Sequence, residues 1–271
     1  MQRGNGRATQ DSPQDQSHVL ESDRHGPGTL WVVGIGPGSL EDMSYKARLA
    51  IEECDVVVGY HKYLELVGKL IKNKEIIGTG MMQEVARCQA AVQVAMSGKK
   101  VAVVSSGDPG IYGMAGLVLE LTQKYPQDKR PEVRVVPGIS AVSASAAILG
   151  APLMHDFAVI SLSNLLTAWE VIRARVEMAA KADFVLALYN PKSKRRTQGI
   201  EEVREIVLQY RSADTPVGIV HHATREEENQ VLSTLNEFTK EHIDMFSLVI
   251  IGNSQTYIKD GKMITPRGYG V

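Results

Sequence analysis

Apolar positions along the chain fall into two kinds of run. Short unbroken stretches, Leu30-Trp31-Val32-Val33-Gly34-Ile35, Val56-Val57-Val58, Val101-Ala102-Val103-Val104 and Val133-Arg134-Val135-Val136, read as buried strands. Between them apolar and small residues recur at helical spacing. Ala47, Ala50, Ile51 and Cys54 stand at i, i+3, i+4 and i+7, and Val85, Cys88, Val92 and Met96 keep one face until Gly98, a natural helix stop. A further helix is predicted over Met114–Lys124. This rhythm of strand, loop, helix and strand predicts a largely parallel sheet covered by helices.

From Pro137 to Pro152 the chain is rich in Ala, Ser and Gly, and a new alternation then starts at Phe157-Ala158-Val159-Ile160. The pattern continues with a helix around Ala168–Ala180, a strand Phe184–Tyr189, a helix Ile200–Tyr210 and strands Val217–Val220 and Leu248–Ile251. Lys259-Asp260-Gly261-Lys262 is a tight-turn signal that returns Tyr257-Ile258 as Met263-Ile264, expected at the sheet edge. The expected organisation is two α/β domains, 29–152 and 153–271, with a boundary near Gly150–Asp156. Residues 1–28 hold only Met1, Ala8, Val19 and Leu20 as apolar side chains, too few to offset the entropy of ordering, and are expected to form a disordered tail.

Composition narrows the function classes. With 271 residues, 44% of them hydrophobic, the chain can fill two cores of ordinary size. Thirty basic side chains against 31 acidic ones create no broad field for nucleic acid or an anionic membrane, so any anion binding must be local. Cys54 and Cys88 belong to no close pair that would hold zinc or an iron-sulfur cluster. No stretch has the apolar length of a signal peptide or a membrane span, and a cytoplasmic location is expected.

Ligands of open α/β sheets bind beyond the carboxyl ends of strands, which directs attention to four loops. Gly34-Ile35-Gly36-Pro37-Gly38-Ser39 approaches a dinucleotide fingerprint. Ser39 stands where the third glycine belongs, however, and Asp55 begins a strand instead of ending one. In Ser105-Ser106-Gly107-Asp108-Pro109-Gly110-Ile111-Tyr112-Gly113 the glycines permit close approach to a ligand, Asp108 can fix the loop or accept ligand hydrogen bonds, and Pro109 stiffens it. In Val136-Pro137-Gly138-Ile139-Ser140-Ala141, Ser140 can cap the next helix, with amides beside it open to a carboxylate. The fourth loop, Leu188-Tyr189-Asn190-Pro191-Lys192-Ser193-Lys194-Arg195-Arg196, carries a basic cluster that is either a solvated turn or a site for a carboxylate-rich substrate. Of the pair His221-His222, one is a candidate general base and the other a structural residue; no metal-ligand spacing surrounds them.

Val33-Gly34-Ile35-Gly36-Pro37-Gly38, then Gly107-Asp108-Pro109-Gly110-Ile111-Tyr112-Gly113, then Val136-Pro137-Gly138-Ile139-Ser140-Ala141 resemble, in this order and separation, the tetrapyrrole methylase family. Leu188-Tyr189-Asn190-Pro191 with Ser193 and Arg195-Arg196, followed by Thr224-Arg225-Glu226-Glu227, resembles the branch that methylates carbon 17 of precorrin-3B or cobalt-factor III with contraction of the ring. The resemblance implies two α/β domains of the class III methyltransferase type with the cofactor cleft between them, and usually a homodimer. It implies S-adenosylmethionine held by Gly107, Asp108, Pro109, Ile111, Tyr112, Ser140 and Ala141, with Leu188, Tyr189, Asn190, His221, Ala223 and Gly252 from the second domain. Gly36, Pro37 and Gly38 would face the tetrapyrrole, Lys192, Lys194, Arg195 and Arg196 would meet its carboxylates, and His221, His222 or Asp108 would handle a proton. The rival readings are a methylase of the same fold acting on another corrin or sirohaem precursor, diphthine or ribosomal RNA; a nucleotide-dependent oxidoreductase; and a binding protein without methyl transfer.

Overall fold

The computed structural model describes residues 26–193 and 196–270. The expectation of a disordered tail, and the calls on Lys194 and Arg195, lie almost wholly outside them. The first strands are β1 (Thr29–Gly34), β2 (Val56–Tyr60), β3 (Glu75–Thr79), β4 (Val101–Ser105) and β5 (Glu132–Val136), with helices α1 (Tyr45–Glu53), α2 (His61–Leu66), α3 (Glu84–Met96) and α4 (Ala115–Thr122) between them. All four pairings are parallel, in the order β3-β2-β4-β1-β5. Strand alternation sends Trp31, Val33, Val57, Ala102 and Val104 to one face, against Ala47, Ile51, Leu64 and Val67, and Leu30, Val32, Val58, Val101 and Val103 to the other, against Cys88, Ala91, Val92 and Val118. With helices on both faces these strands must be apolar throughout, which explains their unbroken runs.

α5 (Ala141–Leu149) leaves the first sheet and packs on the second. It is followed by β6 (Gly150–Ala151), β7 (Phe157–Ser161), α6 (Trp169–Lys181), β8 (Val185–Tyr189), α7 (Gly199–Leu208), β9 (Pro216–His221), β10 (Asn229–Thr234), a single 3-10 turn at Phe238–Lys240, β11 (Ser247–Ile251), β12 (Tyr257–Lys259) and β13 (Lys262–Ile264). The second sheet runs β10-β9-β11-β8-β7 and is mixed: β7 and β8 are parallel, whereas β11 is antiparallel to both β8 and β9. Val142 and Leu149 of α5 pack on Val185, Ala187, Val220, Leu248 and Ile250, while α6 and α7 cover the opposite face through Ile172, Val176, Ile200 and Val203. The hairpin predicted at the sheet edge forms, with Asp260 and Gly261 at positive φ, but it joins a separate three-stranded sheet in which β13 pairs with β6. No helix among the described residues is long and apolar enough to cross a membrane.

Candidate functional site

β1 and β4 are neighbours, yet the chain leaves them in opposite directions. α1, after β1, packs on one face toward β2, and α4, after β4, packs on the other toward β5. Loops that diverge in this way open a crevice at the carboxyl ends of the two strands. Its floor is backbone packed on backbone. Gly36 and Gly107 exchange hydrogen bonds, Gly36 N–H to Gly107 O at 3.2 Å and Gly107 N–H to Gly36 O at 2.7 Å. Gly107 holds φ +67°, a left-handed conformation glycine adopts without steric cost. A Cβ on Gly138 would collide with the Gly107 carbonyl oxygen and lie 2.8 Å from the Gly34 carbonyl carbon. One close approach thus explains a glycine in each of the three loops, Gly34, Gly107 and Gly138.

Asp108 clamps that approach. Its Oδ1 accepts the Gly110 N–H at 2.8 Å and its Oδ2 the Gly138 N–H at 3.1 Å, so both carboxylate oxygens are already engaged by backbone amides. Ser140 is the N-cap of α5, its Oγ accepting the Ser143 N–H at 3.3 Å. The amides expected to stand open there are partly filled, because Val142 donates its N–H to the Tyr189 hydroxyl at 3.0 Å. Ala141 N–H is left without an acceptor among the described residues.

Contacts between the two sheets close the crevice from two sides. Tyr112 reaches edge strand β7, where its hydroxyl donates to Val159 O at 3.1 Å and accepts the Ser161 N–H at 3.0 Å; its ring stands 5.3 Å from that of Tyr189. Asn190 Nδ2 donates to Ser161 Oγ at 3.0 Å. On the other side Thr224 Oγ1 accepts the Ser39 N–H at 3.2 Å, and Arg225 donates from Nε to Pro37 O at 2.9 Å and from a terminal nitrogen to Ser106 Oγ at 3.2 Å. Gly38 makes room for the Arg225 stem, since a Cβ there would strike Arg225 Cγ. Tyr112, Asn190, His222 and Thr224 all hold positive φ. Four left-handed non-glycine residues in these loops, one of them β-branched, mark conformations held against local preference, a recurrent property of binding sites.

Several sequence-predicted site residues are placed elsewhere. His221 is buried, and strand alternation puts its imidazole on the α6 and α7 face, opposite Val220 and α5; Ser247 Oγ lies 2.9 Å from its Nδ1 and also donates to Asp244 Oδ1 at 2.9 Å. Burial holds its pKa below the usual imidazole value, assisted by the positive charges His242 and His222 would carry and opposed by Asp244. Its imidazole is therefore braced within the second sheet and faces away from the crevice. Ligand atoms of His221, His242 and Asp244 fall within 4.8 Å of one another, a cluster invisible in the spacing; Ser247 bridges His221 to Asp244, and His242 stacks on His221. Leu188 is fully buried toward α6 and α7, so it can offer the crevice only its backbone. Gly252 follows β11, the strand running against its neighbours. It lies at their amino ends, with its N–H on Pro216 O, at the edge of the sheet opposite the crevice.

His222 stacks on Phe246, ring centroids 4.9 Å apart, with Glu227 3.7 Å from its Nε2, and Ala223 packs against the α5 side of the second core. Arg196 turns back onto Asn190 O at 2.9 Å, bracing its own loop. Lys192 is half-buried and Ile111 lies exposed beside Tyr112. Both cysteines are buried, and burial raises their thiols to about 11, which keeps them protonated and unreactive. Arg225 is the residue whose contacts sequence reasoning missed; Thr224-Arg225 carried part of the motif, but its reach to a loop 188 positions earlier is a tertiary fact.

Comparison with known proteins agrees with this geometry. The family model of tetrapyrrole (corrin/porphyrin) methylases matches residues 29–239. The chain is 52% identical over 244 residues to a cobalt-factor III methyltransferase of Priestia megaterium, covering 89% of this chain and 45% of that longer protein. It is 51% identical over 240 residues to a Salmonella typhimurium protein named "Probable cobalt-factor III C(17)-methyltransferase", covering 89% of this chain and 99% of that one. The crystal structure of the methyltransferase CobJ superposes with a TM-score of 0.82 at 34% identity, over 88% of this chain and all of that one. By the extent of these matches, the chain belongs to the tetrapyrrole (corrin/porphyrin) methylases.

Proposed function

We propose that this protein transfers the methyl group of S-adenosylmethionine to carbon 17 of a cobalt-containing tetrapyrrole, cobalt-factor III, with contraction of the ring, in cobalamin biosynthesis. The observation that carries the reading is the glycine-floored crevice of β1, β4 and β5, bridged to the second sheet by Tyr112 and closed from that sheet by Tyr189 and Arg225. The names of the Priestia and Salmonella relatives favour the cobalt-containing substrate over precorrin-3B.

The residues present fit the cofactor. Gly107 offers backbone without a side chain, Ala141 a free helix-terminal N–H for a carboxylate, and Tyr112 and Tyr189 flat apolar surface. When bound, S-adenosylmethionine supplies an electrophilic methyl carbon. The chain's own contribution is to orient and to exclude water: Asp108 fixes the loop that lines the crevice, and the Tyr112 and Arg225 bonds hold the two sheets together over it. Residues 29–152 form the tetrapyrrole side and 153–271 complete the cofactor site, and the protein works as a cytoplasmic homodimer. With both Asp108 oxygens engaged and His221 facing away, His222 is the proton-handling residue that remains at the crevice edge.

Calorimetric titration with S-adenosylhomocysteine, followed by assay with cobalt-factor III and with precorrin-3B, tests the reading. Binding lost in Gly107→Arg together with turnover on the cobalt form supports it. A folded wild type that binds no S-adenosylhomocysteine, with or without tetrapyrrole, overturns it.

A further inference from the structure

The guanidinium of Arg225 is half-buried at the seam, and only two of its five N–H donors are used, by Pro37 O and Ser106 Oγ. Both acceptors are neutral, and no carboxylate pairs with it among the described residues. Burial works against its charge, and the ionisable neighbour beside it is the phenol of Tyr63, which burial itself keeps protonated. A second guanidinium, that of Arg87, acts on the same Tyr63. Arg87 is 4% exposed and donates to Thr79 Oγ1 at 2.7 Å and Gly80 O at 2.9 Å; its guanidinium carbon stands 5.9 Å from the Tyr60 ring centroid. It too has no ion-pair partner among the described residues.

Tyr63 stands within the field of both. Burial raises the pKa of its hydroxyl, Arg225 and Arg87 act to lower it, and Tyr60 and Glu84 act to raise it. Glu84 is thus the carboxylate whose field reaches this group, against two guanidinium charges. Cations withdrawn from water and lacking a counter-charge are costly, and a ligand anion relieves that cost. The location is the carboxyl edge of β1, β2, β3 and β4, beside the loops of Gly36-Pro37-Gly38 and Ser106-Gly107.

We propose that Arg225 is the substrate's carboxylate receptor: its unused N–H edge pairs with an acid side arm of the tetrapyrrole, with the charge of Arg87 reinforcing it. This rests on the tetrapyrrole reading above and assigns to Arg225 a role that sequence analysis gave to the basic cluster ending in Arg196, whose guanidinium is turned onto its own loop. A planar fork with adjacent free donors suits bidentate pairing with a carboxylate, a geometry lysine cannot reproduce. A single anchored arm also fixes which ring of the macrocycle faces the second sheet, so the contact sets regiochemistry as well as affinity.

The test uses the full chain with uroporphyrin as an octacarboxylate probe and its octamethyl ester as the uncharged control, read by fluorescence titration. Wild type is expected to bind the acid at least tenfold more tightly than the ester. Arg225→Gln is expected to weaken acid binding about tenfold or more, the loss that follows removal of a charge-assisted pair, and to leave ester binding unchanged. In the methyl-transfer assay the same variant raises KM more than it lowers kcat, keeps S-adenosylhomocysteine binding within threefold, and is partly rescued by Arg225→Lys. Gly38→Ala, which displaces the Arg225 stem without removing the charge, shifts acid binding in the same direction. Lys181→Gln, which removes an exposed cation at the end of α6 away from the seam, leaves acid binding within twofold. Equal acid binding by wild type and Arg225→Gln overturns the inference, as does a loss that falls equally on S-adenosylhomocysteine, since Arg225 would then be a seam brace alone. A wild type that transfers methyl while Arg225→Gln keeps its KM removes the inference and leaves the function standing; a wild type that binds no porphyrin and transfers no methyl removes both.

Discussion

Ser161 donates its backbone N–H to the Tyr112 hydroxyl at 3.0 Å, and the same hydroxyl donates back to Val159 O at 3.1 Å. One phenol from the first half of the chain thereby satisfies both kinds of backbone group on β7, an edge strand with no further strand beside it. Tyr112 does this with φ +52°, so the loop accepts backbone strain to deliver it. Tyr112→Phe keeps the ring near Tyr189 and removes the bonds. We expect a loss of about 1–3 kcal/mol in urea unfolding, the usual range for polar groups left unpaired, together with weaker S-adenosylhomocysteine binding.

Gly138→Ala places a methyl group against the Gly107 carbonyl oxygen, where backbone meets backbone and no side chain can swing away. The expected destabilisation is about 1–3 kcal/mol or more, with loss of cofactor binding. Gly116→Ala is the matched control: it lies in α4 with nothing within 4 Å of the added Cβ, and should stabilise the protein by about 0.5–1 kcal/mol. Urea midpoints that move in the same direction for both would refute the account of the glycine floor.

Asp108→Asn offers an amide nitrogen to one of the two backbone N–H groups that the carboxylate now accepts. One clamp bond is lost and the other loses its charge assistance, so S-adenosylhomocysteine affinity should fall about tenfold or more. The pH profile of methyl transfer should keep its shape, because a clamp does not exchange protons with substrate. A displaced acid limb in the variant would return Asp108 to the catalytic role.

His221 gives a pH prediction with a definite sign. Its folded pKa lies below the ordinary value near 6.5, first because of burial, so between those two values the unfolded chain binds a proton that the native state does not. The stability contributed by the neutral, Ser247-bonded imidazole is complete above about 6.5 and declines as pH falls through and below that value. The urea midpoint of the wild type should drop between pH 7.5 and 5.5, and His221→Gln should show a shallower drop from a lower starting point. An equal slope in both proteins would assign the acid sensitivity to other groups.

The sequence by itself determined the unbroken strands of the first sheet, the helical faces packed on them and the four loops that follow strands, because strand burial and helix periodicity are local signals. β3 and β10 escaped that reading. Each is an edge strand that opens on exposed residues, Glu75-Ile76 in one and Asn229-Gln230 in the other, and such strands need no apolar run. α2, six residues long, is too short to display a period.

Tertiary structure alone decided which residues meet at the crevice. Whether Gly252 faced the crevice depended on β11 running antiparallel, and whether His221 did depended on which face of β9 its side chain took, neither of which is written in a single strand. The pairing of Arg225 with Pro37, like that of Tyr112 with Ser161, joins residues far apart in the chain. No local propensity encodes such contacts; they exist because two separate sheets pack edge to loop and leave polar groups that must be satisfied.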